Sequence, residues 1–119
     1  MTGELFEVKE NILTVTALDG HRIAIRKTEL KDSFEHIKVI VPGKTLNEIS
    51  KILTGGTDSD VRVFFETNLI AFEFENTIVV SRLIEGEYFK VEQMISSNFD
   101  TIVNINKKEF LDCIDRSTL

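Results

Sequence analysis

Lys38-Val39-Ile40-Val41-Pro42-Gly43-Lys44-Thr45-Leu46-Asn47-Glu48-Ile49-Ser50-Lys51-Ile52-Leu53 carries two periodicities in succession. Lys38 to Val41 is a compact β-branched run and reads as a strand. Pro42-Gly43 stops it. From Lys44 the apolar spacing becomes helical: Leu46, Ile49 and Leu53 share one face, with Ile52 beside them. Lys44, Glu48 and Lys51 point elsewhere. Pro42 suits a first helical turn, where its missing N–H costs nothing. Gly55-Gly56 supplies a helix stop. The stretch is therefore a βα unit, and its surroundings decide the architecture.

On the N-terminal side, Leu5 to Glu10 and Ile12 to Leu18 are short apolar runs on either side of Glu10-Asn11. Leu13, Val15 and Ala17 alternate with Thr14 and Thr16, the period-two signal of a half-buried strand. The two runs predict a hairpin with its turn near Asn11. Asp19-Gly20 marks a second tight turn, with Gly supplying positive φ. His21 to Lys27 is a third strand, and polar Glu29 to Glu35 breaks the pattern.

On the C-terminal side, Val61 to Glu66, Leu69 to Glu75 and Thr77 to Leu83 are three strands in close order, joined at Thr67-Asn68 and Asn76. In the middle one, Ile70, Phe72 and Phe74 form the buried side and Ala71, Glu73 and Glu75 the wet side. Phe64 and Phe65 are adjacent, so they face opposite sides of the sheet. Ile84 to Ser97 is irregular. Thr101 to Ile105 is another β-branched run, and Asn106 starts a second helix. Asn106 and Glu109 have capping-box spacing, and Phe110, Ile114 and, weakly, Cys113 form the apolar face. The predicted order is βββ–βα–βββ–βα, an internal repeat of βαβββ units. At an offset of 64 residues Val41-Pro42-Gly43-Lys44 overlies Ile105-Asn106-Lys107-Lys108. The expected class is α+β. Both ends read as cuts through a larger protein.

Composition narrows the function. The 119 residues fit one domain, with 42% apolar and 29% charged residues. The lone Cys113 excludes an internal disulfide and a cysteine-cluster metal site. It suits a reducing, cytoplasmic setting. No apolar run approaches the ~20 residues of a membrane span, and Met1 to Glu10 lacks a secretory pattern. A net charge of −6 argues against a general basic nucleic-acid binder and leaves room for a local basic face.

Catalytic candidates are few. A hydrolase would have to be built on His21, Asp19 and Ser81, and no Gly-x-Ser-x-Gly motif is present. His21 reads more simply as a turn residue packed at a strand start. His21 and His36 are far apart and lack a carboxylate at ligand spacing, so no metal site is expected. Gly43-Lys44-Thr45 imitates the end of a phosphate loop, but the upstream Gly is missing. Lys44 and Lys51 lie two turns apart on the first helix, while Lys107 and Lys108 open the second. Lysines of this kind ordinarily only solvate a face. In equivalent, adjacent helices they would form a basic track that contacts phosphates without reading sequence.

Four segments together resemble the bacterial sliding clamp family, the β subunit of DNA polymerase III. Leu13 to Lys27, with Asp19-Gly20-His21-Arg22-Ile23 at its centre, is similar to the clamp's strand–turn–strand signature. Val39 to Leu53 resembles the strand and helix at the centre of the middle domain. Ser81 to Tyr88 resembles the close of that domain. Asn106 to Leu111 with Ile114-Asp115-Arg116 looks like the first helix of the third domain. The resemblance implies a DNA-clamp fold of βαβββ repeats, with helices on one face of antiparallel sheets. Residues 1–97 would be a middle domain lacking its first strand and helix. Residues 98–119 would open the third domain and are expected to pack in the vacant slot, within one chain or by exchange between two.

The same resemblance implies a non-enzymatic processivity factor without a cofactor. The full-length protein would be a homo-oligomeric ring around duplex DNA, tethering the replicative polymerase. Lys44, Lys51 and Lys108 would face the DNA. A pocket for peptides of the polymerase, the clamp loader and other partners would use Leu18, Gly20, His21, Arg22 and Ile23, then Phe89, Gln93 and Met94. The family usually has Tyr-Pro where this chain has Tyr88-Phe89, and a Pro where it has Met94-Ile95-Ser96. Both positions lose a fixed φ, which frees the loop. This piece alone would not close a ring. A small stand-alone interaction module is the alternative.

Overall fold

The computed structural model describes residues 3–53, 60–88, 90, 95 and 98–118. The chain falls into two compact units, Met1–Tyr88 and Phe89–Leu119. The first contains β1 (Gly3–Asp19), β2 (Arg22–Pro42), α1 (Gly43–Ile52), β3 (Arg62–Phe65), β4 (Leu69–Phe74) and β5 (Thr77–Arg82). The second contains α2 (Lys107–Ser117). All pairings are antiparallel: β1 with β2, and β3–β4–β5 as a meander. A single bridge, Ile40 to Ile84, ties the segment after β5 to β2. From β2 onward the order is βαβββ, the α+β unit expected.

The N-terminal half differs from the expectation of three separate strands. β1 runs unbroken from Gly3 to Asp19, yet it reverses direction on the way. The Tyr88 hydroxyl donates to the carbonyls of both Gly3 and Thr16, each at 3.3 Å. A straight strand would hold those carbonyls about 44 Å apart at ~3.4 Å per residue. The reversal lies at Glu10, whose φ is 57°, between two irregularities of register. The turn expected near Asn11 is thus a sharp bend inside one strand. β2 follows on the outside: Glu29 faces Ile12 and Phe34 faces Glu10, so residues 30–33 span what Asn11 alone spans in β1. Polar Glu29 to Glu35 therefore does not end a strand. Its side chains lie in water except for half-buried Leu30, so the ladder persists without alternation.

The main core joins both sheets and the helix. Phe6 of β1, Val41 of β2, Ile49 of α1, and Ile70 and Phe72 of β4 cluster together, with Leu13, Val15, Leu46 and Phe65 packed against them. Each large side chain so buried contributes about 1.5–3 kcal/mol. In β4, buried Ile70, Phe72 and Phe74 alternate with half-buried Ala71 and Glu73, as the sequence predicts. Phe65 packs inward, while Phe64 is exposed beneath the Arg62 guanidinium, 5.1 Å from the ring centre. Helix α1 starts after Pro42, as expected, but ends at Ile52. Leu53 turns to extended backbone and, like Ile52, stays exposed. The expected Gly55-Gly56 stop lies outside the described residues.

In the second unit, Asn106 caps α2 by accepting from the Glu109 N–H at 3.1 Å. Phe110, Leu111 and Ile114 remain about half exposed. The predicted strand at Thr101–Ile105 does not form. A β-branched run becomes a strand only when a neighbour takes its N–H and C=O groups, and among the described residues none pairs with it.

Candidate functional site

The link between β1 and β2 has two residues, Gly20 and His21, because Asp19 pairs with Arg22 across it. Gly20 does not adopt the positive φ expected of it, and a Cβ built there would meet nothing within 4 Å. Gly20, His21 and Arg22 are exposed. Arg22 is not loose: its Nε and Nη2 reach Asp19 Oδ2 at 3.0 and 2.9 Å. An exposed pair of this kind adds little stability, but it restricts the guanidinium to one side of the turn. The i, i+3 spacing across a two-residue turn was the signal for an Asp19–Arg22 pair, whereas the sequence reading used Asp19 as a turn residue and as a member of the hydrolase alternative.

One step below the tip, Leu18 pairs with Ile23 and both are half-buried. Leu18 packs against a second core cluster of Leu5, Ile40 and Tyr88, with Ile84 alongside. The stem thus presents an apolar pair under a polar, charged tip. That combination suits a short peptide segment with one apolar anchor and a few polar contacts. Leu18, Gly20, His21, Arg22 and Ile23 are therefore brought together by the structure. Phe89, Gln93 and Met94, the other half of the expected wall, lie outside the described residues.

Burial raises the Tyr88 hydroxyl above its ordinary value of 10.0, opposed in part by a hydrogen bond from the Leu18 backbone. The phenol is therefore a neutral donor at physiological pH. Sequence reading placed Tyr88 only at the end of a resembling segment. Its contacts lie 85 and 72 residues away, beyond any local pattern.

The predicted DNA-facing lysines sit where helical spacing puts them. Lys44 and Lys51 are exposed on α1 with Asn47 and Glu48 between them, opposite buried Ile49. Lys51 approaches Glu48 at 3.5 Å, while Lys44 has no ion pair among the described residues. Lys108 is exposed in the first turn of α2.

A hydrolytic arrangement finds no support. The Ser81 Oγ lies 2.7 Å from Thr45 Oγ1 and also donates to the Arg82 carbonyl. Asp19 is engaged with Arg22 rather than with His21. His36 lies 2.6 Å from Glu7, and among the described residues no group of three His, Cys, Asp or Glu side chains could hold a metal. A cleft of about 850 Å³ opens beside the β3–β4 turn, lined by Glu66, Asn68, Arg82 and Glu85 among others, and none of the predicted site residues among the described ones borders it. No helix among the described residues is long and apolar enough to cross a membrane.

The family described as DNA polymerase III beta subunit, central domain, matches residues 1–90. The beta sliding clamp of Staphylococcus epidermidis is 38% identical over 119 residues, covering 100% of this chain and 31% of the relative. That of Staphylococcus aureus gives the same identity and coverage. Among solved structures, a DNA polymerase III beta subunit from Eubacterium rectale superposes with a TM-score of 0.91 at 64% identity, covering 98% of this chain and 32% of that one. The DNA polymerase III beta chain from Streptococcus pneumoniae gives 0.79 at 30% identity, covering 97% and 30%. The chain spans about a third of the length of the relatives it matches.

Proposed function

From a chain that belongs to the DNA polymerase III beta-subunit family through its central domain, we propose a segment of a sliding clamp. The full-length protein closes as a homo-oligomeric ring around duplex DNA and tethers the replicative polymerase. It works by topology and peptide recruitment, with no bond chemistry and no cofactor. Residues 1–97 belong to the middle domain and residues 98–119 open the third.

Partner peptides dock at Leu18, Gly20, His21, Arg22 and Ile23, completed by Phe89, Gln93 and Met94. The observation that carries this reading is the apolar Leu18–Ile23 pair beneath the Asp19–Arg22 tip. Lys44, Lys51 and Lys108 face the DNA. On a chain of net charge −6 they give weak, salt-sensitive contact to linear DNA, and encirclement by the ring supplies the retention.

An NMR titration with a short clamp-binding peptide tests the docking site. Saturable amide shifts confined to Leu18–Ile23, lost in the His21→Ala/Arg22→Ala variant, are the expected result. A folded wild type that shows no shift, or a variant that binds equally well, overturns the assignment.

A further inference from the structure

The docking tip stands at the end of a ribbon whose outer strand has little side-chain burial of its own. From Arg22 to Glu35 only Ile23 and Leu30 are even half-buried. Two-stranded ribbons are marginal by themselves, so something outside the ribbon must fix the direction of its tip. On the inner strand Leu13 and Val15 pack against the main core, and at the backbone edge just below the tip Tyr88 adds a second tie.

Tyr88 is 6% exposed, and its ring lies in the cluster of Leu5 and Ile40 against which Leu18 packs. Its hydroxyl donates to the Thr16 carbonyl at 3.3 Å and takes a hydrogen bond from the Leu18 backbone. Residues 16 and 18 are the alternate positions whose N–H and C=O groups point to the same side of a strand. The hydroxyl therefore occupies the backbone edge of β1 immediately below the tip, as a neighbouring strand would. Its third contact, the Gly3 carbonyl at 3.3 Å, joins that edge to the far end of the same strand. Thr16 is itself buried, at 4% exposure, so these carbonyls have little recourse to water.

We infer that Tyr88 is a positioning residue for peptide docking: its hydroxyl pins Thr16 and Leu18 to the start of β1 and so sets the direction of the Leu18–Ile23 stem and of the turn above it. The purpose of the device rests on the docking reading above; its mechanics do not. The ring fills core space, and the hydroxyl aims the tip.

The test is Tyr88→Phe in the full 119-residue chain, which keeps the ring and removes only the hydroxyl. Amide hydrogen exchange at Leu18, whose N–H faces the hydroxyl, and at Ala17 and Ala24, the ladder pair beside it, is expected to quicken about fivefold to tenfold, the factor for one lost hydrogen bond. Ile70 and Phe72 in β4 serve as internal references and should not change. Peptide affinity should fall by a similar factor while Tyr88→Leu, which empties core space, accelerates exchange everywhere. Uniform acceleration in Tyr88→Phe reduces the hydroxyl to a general structural role and overturns the inference. So does an unchanged tip. A wild type that binds no peptide overturns the docking reading, and the exchange pattern then decides the role of Tyr88 separately.

Discussion

The β1–β2 ribbon and the β3–β4–β5 sheet are both antiparallel, yet different forces hold them. In β4, buried and half-buried residues alternate along the whole strand, and Ile70 is fully enclosed. In the first two-thirds of β2 almost every side chain is wet. The sheet is held by what its side chains bury. In the ribbon, β1 and the end of β2 bury Leu5, Phe6, Val8, Ile40 and Val41, while the outer strand from Arg22 to Glu35 is held by backbone pairing. The contrast separates tasks: the sheet and the inner strand of the ribbon carry stability, and the outer strand keeps surface available for a partner at the tip.

Core truncation gives the largest test of that contrast. Ile70→Ala should cost about 2–5 kcal/mol, whereas Ile78→Ala, at a position 62% exposed on the outer face of the same sheet, should cost less than about 0.5 kcal/mol. Urea unfolding measures both, and similar losses would mean that the outer face is not free.

Next comes crowding where the two regions meet. A Cβ added at Gly3 would lie 2.8 Å from Ile40 Cγ2, Ile84 Cδ1 and the Val41 carbonyl. Gly3→Ala should therefore destabilise by about 1–3 kcal/mol. Because Gly3 O is a Tyr88 partner, tip exchange should rise with it.

Each region also contains one glutamate in the left-handed region, Glu10 with φ 57° and Glu75 with φ 51°. An L-residue there costs roughly 1–2 kcal/mol, offset in Gly by its larger loss of unfolded-chain freedom. Glu10→Gly and Glu75→Gly should each gain up to about 1 kcal/mol in thermal unfolding. A loss at Glu10 alone would show that its side chain, and not only its backbone, shapes the bend.

The smallest effect is electrostatic and lies on the ribbon. Lys31 Nζ contacts Asp60 Oδ2 at 2.6 Å. The hydrogen bond and charge of Asp60 raise the Lys31 pKa above its ordinary 10.5. A raised folded-state value stabilises fully below pH 10.5 and fades as pH climbs through the raised value. In an NMR titration Asp60→Asn should return Lys31 toward 10.5 without altering neutral-pH structure.

Legibility in the sequence follows the same division. Where one face is buried, the alternation is written in the residues, and Ile70, Phe72 and Phe74 announced β4 with its sidedness. Where both faces are wet, as from Glu29 to Glu35, a strand leaves no periodic trace and its backbone pairing has to be seen. The run at Thr101–Ile105 taught the reverse lesson: β-branched composition signals a willing strand, not a partner for it. At the site, the tip residues were found through resemblance. The Asp19–Arg22 pair could have been read from spacing, but the Tyr88 contacts could not, because they join positions more than seventy residues apart.

The doubled ribbon behaves like two lanes of a curved track. The inner lane takes the curve with Asn11 alone, and the outer lane needs residues 30–33. An extra residue in the outer lane is absorbed by a slightly wider arc in solvent. An extra residue in the inner lane has nowhere to go. It would shift the strand by one place and turn Phe6 and Val8 to the face that Leu5 now occupies, breaking both core clusters. Length variation among relatives should therefore collect within Leu30–Ser33 and be absent at Asn11, so that indels, rather than substitutions, distinguish the outside of the bend from its inside.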